Sequence, residues 1–151
     1  MSRSALWDAT TPYTERWMKL KMIEVTAAII EEGDKFLIAR RAKGKHLAGF
    51  WEFPGGKTEA GETAEACLSR ELNEEFQINV SVNSYVGESY YEYPNKTINL
   101  KAFTCSIISG EIRLHDHDKI EWITIDEIQQ YDLAPADLPL IPLYDKARNN
   151  R

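Results

Sequence analysis

The sequence has little of what secreted, membrane-bound and nucleic-acid-coating proteins depend on. Only two cysteines, Cys67 and Cys105, occur in 151 residues, so we predict buried free thiols and no disulfide framework. No apolar run approaches the roughly 18 residues that can span a membrane, and the first residues lack the apolar core of a signal peptide. A formal net charge of −6 argues against coating nucleic acid. We therefore expect a cytoplasmic protein without a membrane or a nucleic-acid polymer as partner.

The remaining composition is that of an ordinary soluble protein, with 43% hydrophobic and 28% charged residues. Its length suits one domain, which we place at residues 21–151 after an N-terminal extension over residues 1–20. Within that extension, Thr11 and Pro12 are suited to starting a short helix. Further expected elements are strands at residues 22–30, 35–40, 79–88, 96–107 and 121–125, turns at 31–34, 54–56 and 109–111, a short helix capped by Thr124 or Asp126, and a last helix from about Pro139.

The central stretch of the chain predicts a helix from Thr63 to about Phe76, because helix-forming residues dominate there and Gly and Pro are absent. Thr63 is suited to capping its N-terminus. Glu71, Glu74 and Glu75 have i, i+3, i+4 spacing, so their side chains share one face of the helix. On a helical wheel they lie at the edge of the apolar stripe.

Three carboxylates at the edge of a core repel one another and are costly to bury without a cation. Mg²⁺ is a suitable cation because it takes carboxylate oxygens while keeping waters and substrate phosphates as further ligands. The alternative is an ordinary solvated glutamate face, which is the common fate of charge runs.

The spacing Gly56-x5-Glu62-x7-Arg70-Glu71-Leu72-x-Glu74-Glu75-x-Gln77-Ile78 resembles the Nudix box of the Nudix hydrolases. Every defined position matches except Gln77, where the family has Gly. The resemblance implies an α/β fold, namely an α/β/α sandwich with a mixed β-sheet, and hydrolysis of a nucleoside diphosphate linked to another group. It also implies Mg²⁺ as cofactor, with Mn²⁺ as a possible substitute.

The resemblance assigns roles to residues of the box. It implies Gly56, Glu71, Glu74 and Glu75 as the metal-binding set, and it places Arg70 among the catalytic residues as a brace paired with Glu62. A Gly at position 77 would end the helix in the left-handed conformation. Gln77 can adopt that conformation at roughly 1–2 kcal/mol, or the helix can continue a little further.

Residues on both sides of the box are candidates for holding a nucleotide. Arg41, in a basic run, can make bidentate contacts to phosphate, although a solvated loop is an equally good interpretation. Similarity to the MutT-like branch of the family implies Arg41, Phe53, Tyr93 and Lys96 as substrate-binding residues, whereas simple packing or strand roles remain open for the aromatic ones. His46 is expected to be a surface residue.

The run His115-Asp116-His117-Asp118 suggests two kinds of site. The first, and the weaker interpretation, is a transition-metal site, because imidazole suits metals such as zinc. By position, Asp116 corresponds to a Glu six residues before a Trp in the resembling enzymes, where it is a candidate general base or an additional metal ligand. Asp is one methylene shorter than Glu, which puts its reach in question.

The Ala134–Pro139 loop resembles that of bacterial CTP pyrophosphohydrolases, and it implies that Asp137 reads the base. An ionised Asp only accepts hydrogen bonds, which suits the N4 amine of cytosine and opposes O6 of guanine. A capping role for Asp137 is nearly as good an explanation. We expect hydrolysis of a nucleoside triphosphate to the monophosphate and pyrophosphate by a monomer or homodimer. The alternatives are hydrolysis of 8-oxo-dGTP, cleavage of a nucleotide sugar, or nucleotide sensing without catalysis.

Overall fold

The computed structural model describes residues 22–151, so the helix start expected at Thr11 and Pro12 lies outside the described residues. Two α-helices, one 3₁₀ helix and seven strands make up this part of the chain. The elements are β1 (Met22–Glu32), β2 (Lys35–Arg41), β3 (Trp51–Glu52), β4 (Gly55–Lys57), α1 (Ala64–Phe76), β5 (Asn79–Tyr93), β6 (Lys96–Ser109), β7 (His117–Ile123), the 3₁₀ helix (Ile125–Gln130) and α2 (Leu140–Asn149).

The strands form one mixed sheet with the order β3-β2-β1-β6-β5, while β4 pairs with β1 and β7 pairs with β2. β1 and β6 run parallel, and the other strand pairs are antiparallel. The expected mixed sheet is therefore confirmed. β1 is the central strand of this order, with β2 on one side and β6 on the other. Its side chains point alternately to the two faces of the sheet.

Alternation along β1 builds two cores, because successive side chains of a strand point to opposite faces. Ala27 and Ile29 join a core that includes Leu140 and Tyr144 of α2. Ala28 and Ile30 join the other core, which includes Leu68, Leu72 and Phe76 of α1. Helices thus cover both faces of the sheet, and the α/β/α sandwich is confirmed.

Most local predictions are confirmed. β1 and β2 form the expected hairpin, with Glu32 opposite Lys35. α1 begins after Thr63, whose hydroxyl accepts a hydrogen bond from the amide of Ala66. Thr124 precedes the 3₁₀ helix as its cap residue, and both cysteines are free and buried.

Two expected turns are wrong. The residues Pro54 to Gly56 do not form a free turn, since Gly55 and Gly56 pair with β1 as part of β4. No hairpin follows Ser109: the next strand, β7, pairs with β2 instead of β6. The chain reaches β2 by passing the end of α1, where the amide of Arg113 bonds to the carbonyl of Phe76 at 3.0 Å.

No helix among residues 22–151 combines the length and the apolar character needed to span a membrane.

Candidate active site

One pocket gathers the five residues that the sequence put forward for nucleotide binding. Its volume is about 250 Å³, which is below the usual range for whole drug-sized ligands and therefore suits one part of a ligand. The pocket lies where β1 and β4 meet the loops after β2 and before α2. The five residues that line it are Arg41, Phe53, Tyr93, Lys96 and Asp137.

Asp137 forms the polar end of this pocket. It is 6% exposed, and its Oδ2 accepts a hydrogen bond from the backbone amide of Phe53 at 2.9 Å. Burial, followed by the nearby negative charge of Glu52, raises the pKa of Asp137 well above its usual value. The raised pKa favours the neutral acid, which can also donate, whereas the sequence-based interpretation took Asp137 as an ionised group that only accepts.

Aromatic rings form the walls of the pocket. Phe53 is 3% exposed and packs on Phe36 with ring centroids 5.7 Å apart. Tyr93 meets the ring of His46 edge-on at 5.5 Å, and the Lys96 ammonium lies 5.8 Å from the Tyr93 centroid. Solvent reaches His46, as the sequence suggested, but His46 also lines the pocket.

Arg41 lines the pocket at the point where the pairing of β2 with β7 shifts register, between Arg40 and Arg41. Such an irregularity redirects a side chain relative to its neighbours. Arg41 Nε donates to the carbonyl oxygen of His46 at 3.1 Å, and Nη1 lies 3.7 Å from a Glu52 oxygen. The guanidinium is therefore held in place at the pocket wall.

Arg70 organises the carboxylates of α1. Its Nε and Nη2 bond to the two oxygens of Glu62 at 2.7 and 2.9 Å, so loop and helix are joined as expected. This pairing lowers the pKa of Glu62 to about 2. Nη1 also lies 3.0 Å from Glu71 and 3.3 Å from Glu74.

Glu71 and Glu75 lie on the buried side of this group. Burial raises the pKa of both carboxyls. Glu71 lies directly against Gly56: a Cβ added at Gly56 would lie 2.2 Å from the Glu71 carboxyl carbon. Because Gly56 also lines the pocket, it connects the pocket to the carboxylates of the helix.

The donor set fits a hard divalent cation. Glu71, Glu74, Glu75 and the carbonyl of Gly56 offer only oxygen, as Mg²⁺ prefers, and Glu75 Oε2 is buried without a hydrogen-bond partner within the described residues. The Gly56 carbonyl already accepts from the Thr26 hydroxyl at 3.2 Å. No three His, Cys, Asp or Glu side chains among residues 22–151 form a ready metal cluster, since Glu71 and Glu74 turn towards Arg70.

Asp116 lies between α1 and the loop that follows β2. On one side it faces the Glu75 carboxyl, and this neighbour adds to the effect of burial in raising the pKa of Glu75. On the other side its Oδ1 lies 3.0 Å from Lys45 Nζ. The contact with Lys45, followed by the proximity of Glu75, lowers the pKa of Asp116, so of the two carboxyls Glu75 takes up a proton more readily.

Sequence reasoning missed Lys45, Glu52 and the role of His117. His117 is buried, and its Nε2 lies 2.8 Å from Glu52 Oε2. These contacts join residues that are 65 or more positions apart, so no local sequence pattern indicates them. The zinc reading of the His-Asp-His-Asp run finds no support in the geometry, because its side chains diverge towards separate partners, with His115 near Gln77 and Asp118 on Arg40.

Comparison with known proteins adds to this geometry. The family model described as NUDIX domain matches residues 25–143. The chain is 41% identical over 132 residues to the CTP pyrophosphohydrolase of Escherichia coli (87% of this chain and 98% of that protein). It is 34% identical over 123 residues to the 8-oxo-dGTP diphosphatase of the same species (81% and 95%). The solution structure of the E. coli ORF135 protein is similar at a TM-score of 0.75 and 41% identity, over 87% of this chain and 94% of that one. The chain belongs to the Nudix hydrolase family.

Proposed function

We propose that this enzyme hydrolyses nucleoside triphosphates to the monophosphate and pyrophosphate, with cytosine nucleotides as preferred substrates. The observation that carries the proposal is the continuity of pocket and carboxylates through Gly56, which lines the pocket and contacts Glu71. A base held beside Asp137 thus leaves its phosphates directed towards α1. The 41% identity to a CTP pyrophosphohydrolase supports the choice of substrate class.

In the proposed reaction, water attacks phosphorus, a phosphoanhydride bond breaks and pyrophosphate leaves. Gly56, Glu71, Glu74 and Glu75 would hold Mg²⁺, which supplies positive charge for the phosphate oxygens and makes water more acidic. A carboxylate of the site removes the proton from water. Glu75 has the higher proton affinity of the Glu75–Asp116 pair, and Asp116, beside it, remains the other candidate base.

The cationic side chains of the pocket counter the phosphates, and its rings hold the base. Arg41 and Lys96 supply positive charge at the pocket wall, and a guanidinium can contact two phosphate oxygens at once. Phe53 and Tyr93 offer ring faces or edges to a base, and such stacking contributes roughly 1–3 kcal/mol per base. Arg70 acts at a distance from the substrate by bracing the loop and the helix.

Asp137 is proposed to read the base edge. Because the Phe53 amide occupies Oδ2, Oδ1 is the atom that remains for the ligand. As a carboxylate, Oδ1 would accept from the N4 amine of cytosine, and as the neutral acid it would donate to the adjacent N3. Both protonation states therefore fit the cytosine edge.

A second candidate substrate is 8-oxo-dGTP. The raised pKa of Asp137 favours a neutral acid, which can donate to the O6 of a guanine ring. The 34% identity to an 8-oxo-dGTP diphosphatase is in line with this alternative.

Product analysis with Mg²⁺ tests the proposal across CTP, dCTP, modified cytosine nucleotides, GTP, 8-oxo-dGTP and ADP-ribose. We expect pyrophosphate as product and the highest kcat/KM for a cytosine nucleotide. A higher kcat/KM for 8-oxo-dGTP would keep the reaction and replace the substrate. Release of inorganic phosphate instead of pyrophosphate, or no turnover of any triphosphate, would refute the proposed reaction.

A further inference from the structure

Lys45 lies outside the Nudix box and is not one of the five pocket residues predicted from sequence. Its ammonium nevertheless contacts Asp116, the candidate general base. Its Nζ lies 3.0 Å from Asp116 Oδ1. Lys45 belongs to the loop of residues 42–50, and Asp116 directly precedes β7. The pair thus connects the loop after β2 to the segment that faces Glu75 on α1.

The same loop also holds the backbone of Asp116. The amide of Ala42, at the start of the loop, donates to the carbonyl oxygen of Asp116 at 3.0 Å. Asp116 is therefore fixed twice from one loop, by its backbone through Ala42 and by its carboxylate through Lys45. Contacts from two directions restrict where the short Asp side chain can point.

The loop itself is well ordered by internal hydrogen bonds. The amide of Lys45 donates to the carbonyl of Ala42 at 3.1 Å, and the amide of Gly49 donates to the carbonyl of Arg41 at 3.0 Å. Arg41 Nε holds the carbonyl of His46 at 3.1 Å. The backbone at Lys45 is therefore already held in place, which limits the conformational entropy lost when Lys45 pairs with Asp116.

The two arginines of the site already have carboxylate partners. Arg70 is engaged by the carboxylates of Glu62, Glu71 and Glu74, and Arg41 lies beside Glu52. In the part of the chain that the structure describes, Lys45 is the only cation in an ion pair with Asp116. Removing it would leave the Glu75–Asp116 carboxyl pair without a directly bonded positive charge.

Stability alone does not account for this ion pair. The side chains of Lys45 and Asp116 are 47% and 36% exposed, and pairs at such positions typically contribute about 0–1 kcal/mol to folding. A variant that lacks the ammonium should therefore fold normally. A loss of activity then reports on a role of Lys45 in the site and not on unfolding.

We propose that Lys45 is a positioning residue of the hydrolytic reaction, which acts by holding the Asp116 carboxylate in place beside Glu75. The inference rests on the proposed function, because it concerns the same catalytic group. Outer-shell residues that orient the ligands of a metal site commonly affect activity by about 10–100-fold, and Lys45 would orient Asp116 beside the ligand Glu75 in a similar way. We expect an effect of that size on kcat, with little change in KM.

The test compares steady-state kinetics of Lys45→Met and Lys45→Arg with those of Lys43→Met. Lys43 lies on the same loop and has no ion pair within residues 22–151, so it is a matched control for the loss of one loop charge. We expect Lys45→Met to lower kcat about tenfold or more at nearly unchanged KM, Lys45→Arg to restore part of the loss, and Lys43→Met to behave as wild type. Equal kcat in Lys45→Met and wild type would overturn the proposal.

A double-mutant cycle with Asp116→Asn separates positioning from direct contact with the substrate. If Lys45 acts through Asp116, Lys45→Met lowers kcat in wild type but has no further effect in Asp116→Asn. Additive losses, or a loss confined to KM, would mean that Lys45 contacts the phosphates directly, and they would refute the positioning role. Absence of triphosphate turnover by the wild-type enzyme would instead refute the proposed function itself.

Discussion

Glu75 is half-buried, and its Oε2 atom is buried without a protein partner within the described residues. Glu75→Gln keeps the shape but removes the charge that a divalent cation requires. Since perturbing residues that only orient a ligand already costs about 10–100-fold, loss of a ligand should lower kcat by about 100-fold or more. We expect the same direction for Glu74→Gln, measured as pyrophosphate release at saturating nucleotide.

Thermal unfolding is the control measurement for these variants. Burial disfavours the charged form of Glu75, so Glu75→Gln should unfold at the same temperature as wild type or a higher one. Glu65→Gln, on the exposed first turn of the same helix, removes an equal charge and should keep full activity. Wild-type rates in both Glu74→Gln and Glu75→Gln would disprove the metal-ligand assignment.

Asp137→Asn tests how the pocket reads the base. The Phe53 amide donates to one side-chain oxygen of Asp137, so an Asn would use its only oxygen there and turn its NH₂ group towards the ligand. Unlike the Asp oxygen, this NH₂ group can only donate, so it keeps a hydrogen bond to O6 of guanine but can no longer accept from the N4 amine of cytosine. We expect the ratio of kcat/KM for CTP over GTP to fall about tenfold, since such contacts contribute roughly 1–3 kcal/mol.

Asp137→Leu is the comparison variant, because it removes both hydrogen-bonding atoms while keeping the same branching at Cγ. It should lower kcat/KM for every base without reversing the preference. An unchanged ratio in Asp137→Asn would exclude Asp137 from base reading, whatever happens to absolute rates.

At the level of single residues, the resemblance to the Nudix hydrolases implied contacts that spacing alone does not show. It implied the pairing of Glu62 with Arg70, eight positions apart, and five pocket residues that come from separate elements. The partner of Asp116 lies 71 positions away, as 116 minus 45 shows, and no periodicity connects the two. The protonation preference of Asp137 was also missed, because burial and the charge of Glu52 arise only after folding.

Gln77 ends α1 in the left-handed conformation, with φ 58° and ψ 34°. A β-carbon destabilises this conformation by roughly 1–2 kcal/mol. Gly avoids that strain but loses more backbone entropy on folding, which costs roughly 0.5–1 kcal/mol. Gln77→Gly should therefore raise the free energy of unfolding by about 1 kcal/mol, or Tm by about 2–4 °C in a domain of this size. Thermal unfolding followed by circular dichroism measures this change.

The control is Gln77→Ala, which also removes the long side chain and its 3.4 Å contact with His115 but keeps a β-carbon. We expect no increase in Tm for Gln77→Ala, because the strain remains. A lower Tm in Gln77→Gly than in wild type would show that side-chain contacts outweigh backbone strain at this helix end.

Elements whose signals are local were predicted well from sequence, and those set by tertiary pairing were not. The β1–β2 hairpin and α1 with its Thr63 cap follow from short-range patterns. β7 pairs with β2, about 80 positions earlier, and the residues after Ser109 look like a hairpin turn although they lead away from β6. Gly110, with φ 99°, packs against the carbonyl of Gln77. Its positive φ lets the chain pass close to the C-terminal end of α1.

Across the whole molecule, the proposed catalytic carboxylates and the proposed nucleotide pocket meet at the boundary between the two cores. α1 carries its glutamates on one layer, whereas Asp137 precedes α2 on the other. β4, with Gly55 and Gly56, connects them by pairing to β1 at the centre of the sheet. A Cβ at Gly55 would lie 1.8 Å from the carbonyl oxygen of Thr26, so only Gly permits this close approach.

Mg²⁺ should stabilise the folded enzyme as a whole, because the site that binds it exists only in the native state. At a concentration 100 times the Kd, the free energy of unfolding rises by about 2.7 kcal/mol, which corresponds to a Tm increase of about 5–10 °C. Differential scanning calorimetry with and without Mg²⁺, at constant ionic strength set with NaCl, measures this increase, and excess EDTA should reverse it.

The increase in Tm should grow with pH. The pKa values of Glu71 and Glu75 are raised in the metal-free protein, and Mg²⁺ binds the ionised carboxylates, so binding must displace protons below those raised pKa values. The Mg²⁺-dependent increase should therefore be small near pH 4, rise as pH passes through the raised pKa values, and level off above them. In Glu75→Gln both the increase and its pH dependence should shrink. An increase of equal size in wild type and Glu75→Gln at every pH would mean that Mg²⁺ stabilises the protein from another site.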